Sequence, residues 1–191
     1  MMMIMVMSIT ACGDSKSEEG TTETAASEEV VEPKEVVEPE EPAIVLVDQE
    51  IRGIGMSLTE DLNVEGSFGD QTEWLDTDNE EFGHSRATVT GPFAVTWTAA
   101  ETTGEGTLTR ESQHTTDPKL LEFDNTIKIS DLETSYAHYT YVTNGITTEY
   151  FQYDIFHGDG TLTRVKFSFD PTKNSLLQEN IDAVVATVAV K

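Results

Sequence analysis

The sequence predicts an α+β domain: an antiparallel β-sheet, built as a meander, packed against a C-terminal helix and preceded by a disordered acidic linker. Three observations predict it. Ile146–Phe156 alternates with period two, placing Phe151, Tyr153 and Ile155 on one face and Tyr150, Gln152 and Asp154 on the other, the pattern of a half-buried strand. Thr161–Phe169 alternates likewise, with Thr163, Val165, Phe167 and Phe169 opposite Arg164, Lys166 and Ser168. Beyond it, Leu177, Ile181, Val184, Val185 and Val188 recur at helical spacing, which marks one apolar stripe.

The turns between these elements follow from local chemistry. His157-Gly158-Asp159-Gly160 separates the two strands, and glycine reaches positive φ at little cost, so the chain reverses there. Upstream, Tyr136–Val142 alternates as well, and Asn144-Gly145 is a strong hairpin signal. Asp170-Pro171 reads as the helix start, Asp as the N-cap and Pro at the first helical position. The stripe of the helix is expected to cover the aromatic face of the meander, each large side chain contributing roughly 1.5–3 kcal/mol on burial.

Charge and length divide the chain. Of 191 residues with a net charge of −25, residues 13–42 carry −9 and residues 43–191 carry −16. Acid on this scale disfavours a nucleic-acid backbone or an anionic lipid surface as partner and tolerates cations and basic proteins. Gly13–Pro42 is rich in Glu, Ser and Thr, lacks aromatics and repeats Val-Val-Glu-Pro at Val30 and Val36. It cannot bury enough apolar area to offset its ordering entropy, and like charges with prolines hold it extended as a spacer. The expected organisation is residues 1–11 as a signal peptide, 12–42 as a modified N-terminus and linker, and 43–191 as a single domain.

Cys12 is the only cysteine, so no internal disulfide forms. The apolar run Met1–Ile9 followed by Thr10-Ala11-Cys12-Gly13 resembles the lipobox of bacterial lipoproteins. The resemblance implies cleavage before Cys12, lipidation of its thiol, and a chain held at the extracytoplasmic face of the cell membrane. No Lys or Arg precedes Lys16, a departure from the usual basic n-region that fits a truncated start.

Between the linker and the meander, Ala43–Val47, the alternating Ile54, Met56 and Leu58, Ala87–Thr90 and Phe93–Thr98 read as strand pieces, with a break at Gly91-Pro92. Gly104-Glu105-Gly106 reads as a turn into a strand Thr107–Arg110, Lys119–Phe123 as a short helix or loop, and Asn125–Ile129 as a strand. Gly104–Arg110 (GEGTLTR) echoes Gly158–Arg164 (GDGTLTR). The echo reads as a duplicated hairpin or as recurrence of one turn chemistry, and the second is favoured because such turns need these residue types anyway.

No constellation carries an evident reaction. Asp76-x-Asp78-x-Glu80 begins like a calcium loop, but Glu81 and Ala87 stand where a glycine and a bidentate glutamate are required. His84, His114, His138 and His157 lack zinc-ligand spacing. Ser85 follows His84, yet no Gly-x-Ser-x-Gly elbow exists. Glu149 and Asp154 fall on opposite strand faces by parity. Trp74, Trp97, Tyr136, Tyr139, Tyr141, Tyr150 and Tyr153 line either a groove or the core, the core being commoner for strand aromatics.

Gly53-Ile54-Gly55-Met56-Ser57-Leu58 with Thr59-Glu60-Asp61-Leu62, and the strand, glycine turn, aromatic strands and helix of Ile127–Val190, resemble the PsbP-like family over most of residues 43–191. The Pro and Trp often found after the opening strand are replaced by Thr59 and Leu62. The resemblance implies a sheet between helices and loops and a binding or assembly role, and it carries over no site residues or cofactor. The expected function is a membrane-anchored, non-catalytic binding or assembly domain with an envelope protein, polymer or cation as partner. The alternatives are an accessory subunit of an envelope complex and, third, an extracytoplasmic hydrolase.

Overall fold

The computed structural model describes residues 44–76, 85–111 and 116–191, which form mostly antiparallel sheet with a few short helices. The main sheet has seven strands: β3 (Leu62–Phe68), β4 (Gln71–Asp76), β5 (Ser85–Ala94), β9 (Thr161–Phe169), β8 (Ile146–Phe156), β7 (Leu132–Thr143) and β6 (Thr116–Ile129), in that order across it. A smaller sheet sets β2 (Ile54–Thr59) between β1 (Leu46–Ile51) and β10 (Ala189–Val190). Three helices complete the described chain: α1 (Gly104–Glu111), α2 (Leu176–Glu179) and α3 (Ile181–Val185). The 3-10 turn Ala99–Glu101 precedes α1.

The meander is β7-β8-β9. Tyr136 pairs with Tyr153 and Tyr153 with Val165. At the first turn Asn144 and Gly145 both adopt positive φ, 53° and 81°, the geometry a two-residue hairpin needs to match strand twist. At the second, Gly158 and Gly160 do so.

The core lies on one face of the main sheet. Tyr153, Ile155, Val165, Phe167 and Phe169 join Trp74, Ala87 and Val89 there, with Ile54, Met56 and Leu58 of β2 in the same cluster. Leu177, Val184 and Val188 are buried members of that cluster too.

The single helix expected from Asp170 onward is instead two short ones. Asp170 Oδ1 accepts from the Thr172 N–H at 2.9 Å and hydroxyl at 2.7 Å, closing a local turn of the kind short acidic side chains favour. The N-cap is Ser175, whose Oγ accepts from the Gln178 N–H at 3.1 Å. Asn180 separates α2 from α3 with φ −124° and ψ 18°. After α3 the β-branched Thr187 and Val188 leave the helix and the chain extends into β10, which pairs with β2. Stiff β-branched side chains fit that pleat better than another helical turn. Both short helices lie against β2, rather than simply over the meander.

Further expectations are corrected. Gly104–Arg110, expected as a turn into a strand, is helical, and Lys119–Phe123 belongs to β6. Of the pieces either side of Gly91-Pro92, Ala87–Thr90 and Phe93-Ala94 form the one strand β5, whose register shifts between Thr90 and Phe93, whereas residues 95–98, expected as strand, are not strand. The echo shows why. GEGTLTR and GDGTLTR differ at one residue. Asp159 Oδ1 reaches the Thr161 N–H at 2.9 Å, fixing a turn that Glu105, one methylene longer, does not form. Ahead of Gly104, Thr103 caps instead: its Oγ1 accepts from the Gly106 N–H at 3.1 Å and its carbonyl from the Thr107 N–H at 2.9 Å. One residue and its flank thus select helix or hairpin. Gly104 also lets α1 press onto β6, because a Cβ there would run into Leu120 and Phe123.

Candidate functional site

The opposite face of the main sheet is polar, and register fixes its rows. Arg86, Ser168, Tyr150 and Tyr139 stand across β5, β9, β8 and β7. The next row is Thr88, Lys166, Gln152 and Ala137, and the third is Thr90, Arg164, Asp154 and Ser135. Beyond Arg164, a second small cluster of Ala99, Phe156 and Leu162 with Phe93, Val95 and Trp97 caps this face. Helix α1 packs on the β6–β7 side, and its last residue, Glu111, reaches Arg164 and Lys166 of β9. The result is an open cleft of about 1290 Å³ whose lining includes Arg86, Phe93, Glu111, Tyr141, Ile146, Tyr150, Arg164, Lys166 and Lys173.

A continuous polar network joins three of the lining residues, Glu111, Arg164 and Lys166, to the buried Tyr139, Gln152 and Asp154. The Tyr139 hydroxyl donates to Gln152 Oε1 at 3.0 Å, and Gln152 Nε2 donates to Asp154 Oδ1 at 3.2 Å. Asp154 takes a two-pronged pair from Arg164, Nε to Oδ1 at 2.7 Å and Nη2 to Oδ2 at 2.9 Å. Arg164 Nη1 turns to Glu111 Oε1 at 2.9 Å, while Lys166 Nζ holds Oε2 at 2.7 Å. Tyr150 stacks between Tyr139 and Tyr141, at centroid separations of 5.2 and 4.4 Å, and Lys166 Nζ lies 5.8 Å from the Tyr150 ring centroid.

These surroundings set protonation. Burial pushes the Tyr139, Tyr141 and Tyr150 hydroxyls above the ordinary tyrosine range, so they remain hydrogen-bond donors at neutral pH. Burial also pushes Glu111 upward, but the charge and hydrogen bond of Lys166, with Arg164 and Arg110 behind them, outweigh it and hold the carboxyl below its ordinary 4.5. A depressed acid stabilises the fold fully above its unfolded pKa, and that contribution disappears as pH falls through the folded value. Urea unfolding of the parent and of Glu111→Gln should therefore differ most at neutral pH, the parent being more stable, and converge as pH drops below about 4.5. A difference independent of pH would disprove the assignment.

The cleft also concentrates positive charge. Four of the chain's eleven Lys and Arg residues line it, beside Asp70, Glu111 and Asp170, in a molecule of net charge −25. Two of the four are engaged with Glu111 and Asp154. Arg86 has a side chain 44% exposed and a contact to Glu73 at 3.4 Å, and Lys173 is exposed. Cations, protonated phenols, threonine hydroxyls and ring faces offer charge, hydrogen bonds and stacking surfaces side by side.

The residues singled out from sequence scatter. Cys12, His84, His114 and the acidic run at 77–81 lie outside the described residues. Asp76 ends β4 and is buried, and Ser85 is buried at the start of β5. His138 sits on the core side of the sheet, its Nε2 2.6 Å from Glu149 Oε1 and its ring stacked 4.2 Å from Phe151. His157 meets Thr163 Oγ1 at 2.8 Å. Asp154 and Glu149 lie on opposite faces, as parity requires. Trp74, Tyr139 and Tyr153 are buried, whereas Tyr141 and Tyr150 face the cleft. Among the described residues no group of three His, Cys, Asp or Glu is placed to hold a metal. Sequence reasoning missed the cation row, although Arg164-x-Lys166 on one strand face of so acidic a chain signalled it.

No family model and no curated protein matches the sequence. Among solved structures, the fold is similar to that of the Ran-binding protein Mog1p of Saccharomyces cerevisiae, with 12% identity and a TM-score of 0.54 over 78% of this chain and 96% of that one. It is similar also to cyanobacterial PsbP (CyanoP) from Synechocystis sp., with 12% identity and a TM-score of 0.54 over 84% of this chain and all of that one. At these identities the likeness is one of fold, and the fold is PsbP-like.

Proposed function

We propose that this chain is a lipid-anchored, extracytoplasmic binding protein that holds a partner in the cleft on the polar face of its seven-stranded sheet. The observation that carries the reading is the cleft itself. A sheet face left open beside α1, floored by a satisfied network of buried polar groups, is retained at a cost that apolar packing would not incur. Cations, phenol hydroxyls and ring faces among the described lining residues support recognition as the cleft's chemistry. A fold-neighbour described as Ran-binding makes a partner-binding use of this architecture reasonable.

The anchor is Cys12, lipidated after cleavage of residues 1–11, with 12–42 as the acidic spacer and the C-terminal helices as the roof on the far side of the sheet. Acyl chains on that terminus would supply the hold on the membrane. Among the described residues no helix is long and apolar enough to cross one. Cys12→Ala is expected to move the protein from the membrane fraction to the soluble fraction on cell fractionation, and unchanged membrane retention would refute the anchor. The binding role is tested by affinity capture from detergent-solubilised membranes with the full chain as bait. A specific partner lost on Lys166→Glu supports the cleft as the site. Turnover in a broad hydrolase screen, abolished by substituting one cleft carboxylate, would replace binding with catalysis.

A further inference from the structure

We infer that the cleft receives an acidic peptide segment of a partner protein, with Arg86 and Lys173 pairing its carboxylates. The inference rests on the binding reading and names its ligand.

The floor already shows what it accepts. Glu111, a glutamate side chain at the end of α1, is seated with one oxygen on Arg164 Nη1 at 2.9 Å and the other on Lys166 Nζ at 2.7 Å. Carboxylates in such forks are held by charge-assisted bonds about twice as strong as neutral ones. Arg164 and Lys166 are thereby satisfied. Arg86 and Lys173 on the same cleft are held less tightly: Arg86 pairs with Glu73 at 3.4 Å yet keeps a side chain 44% exposed, and among the described residues no carboxylate pairs with Lys173. A half-exposed Arg86 on one long pair and Lys173, in a lining that also holds Asp70 and Asp170, leave room for a few further carboxylates.

Size and surroundings decide between ligand classes. About 1290 Å³ exceeds the roughly 300–1,000 Å³ of ordinary small-molecule sites, which favours a chain segment over a compact compound. Ring faces on Tyr141 and Tyr150 and apolar Phe93 and Ile146 also line the cleft and favour apolar groups between the charges. A uniformly charged polymer would set every repeat against a domain region of net −16. A short peptide meets that repulsion with only its own few carboxylates, because interactions between exposed charges fade beyond about 8 Å at physiological ionic strength.

The test measures binding of a fluorescein-labelled Ser-Glu-Leu-Ser-Glu-Leu peptide to the full chain in detergent micelles, by fluorescence anisotropy. Its glutamine counterpart and polygalacturonate serve as comparison probes. The glutamate peptide should bind at least about tenfold more tightly than the glutamine peptide, with affinity falling as salt rises. The double variant Arg86→Gln/Lys173→Gln should lose about tenfold or more, while Lys128→Gln, an exposed cation away from the cleft, should change nothing. Equal binding of the two peptides, or indifference to the double variant, overturns the inference. Tighter binding of polygalacturonate than of the peptide overturns it in favour of an acidic polysaccharide. The same variants run in the membrane capture separate the two levels: a partner retained regardless of Arg86 and Lys173 sinks the acidic-peptide ligand and leaves the binding role standing, whereas loss of all capture by the parent chain sinks the binding role itself.

Discussion

Asp154→Ala is expected to lower the unfolding free energy by about 3–5 kcal/mol, the cost of removing one partner from a buried ion pair. The Asp154 side chain is 1% exposed, and it receives both prongs of Arg164 together with the Gln152 amide. Without it, Arg164 keeps only Glu111, and the Gln152 Nε2 loses its acceptor in a place water does not reach. A buried donor left unpaired adds about 1–3 kcal/mol of its own, within that total. The double variant Asp154→Ala/Arg164→Met removes both charges and should recover a large part of the loss, because the penalty belongs to the orphaned cation rather than to the missing contact. Urea titrations of the four corners of this cycle, followed by tryptophan fluorescence, measure it. A loss below about 1 kcal/mol for the single variant, the range of an exposed pair, would mean that the floor of the cleft is solvated and not the closed network described above.

The parts of this architecture that were readable in advance are those where one local rule acts alone. Period-two alternation placed Phe167 and Val165 opposite Arg164 and Lys166 because strand parity admits no other arrangement. Asn144-Gly145 reversed the chain where positive φ was available to both residues. What escaped is where two rules competed. In Gly104–Glu111 the β-compatible threonines argued for a strand, and the cap from Thr103 with the close seat over Leu120 and Phe123 decided for a helix. Lys119–Phe123 looked helical or irregular on its own, but pairing with β7 as the edge of the sheet extended it. β3 and β4 were passed over because Gly66, Asn63 and the polar Gln71-Thr72-Glu73 run lack a strong apolar alternation; their partners in the sheet supply what the local sequence does not. The cleft was illegible for a deeper reason. It is assembled from the start of β4, from β5, β7, β8 and β9, from the end of α1 and from the segment after β9 that carries Lys173, so its charges become neighbours only after the strand order 4-5-9-8-7 is known, and no sequence spacing carries that order.

Leu177→Ala is expected to destabilise the domain by about 2–5 kcal/mol, against less than about 0.5 kcal/mol for Leu176→Ala. The two residues are adjacent in α2, alike in chemistry and in helix propensity, and differ in surroundings: Leu177 is fully buried in the main core cluster, whereas Leu176 is 40% exposed. The contrast therefore isolates packing. Removing the Leu177 side chain leaves a cavity among atoms that belong to β2 as well as to the main sheet, and its cost scales with how little those elements collapse into it. The size of the effect is the direct measure of whether the C-terminal segment roofs the core. The segment's hydrogen bonds to other elements include Thr187 Oγ1 accepting from the Ser57 N–H at 2.8 Å, the Val190 N–H donating to Ser130 Oγ at 2.8 Å, the Lys191 N–H donating to the Gly53 carbonyl at 2.9 Å, and the short β10 pairing with β2. If both leucines cost the same small amount in chemical denaturation, the helices ride loosely and the smaller sheet alone closes that face. If Leu177→Ala also raises hydrogen exchange in Ile54–Leu58 while sparing β7 and β8, the C-terminal segment and β2 open together as one cooperative unit, distinct from the meander that carries the cleft.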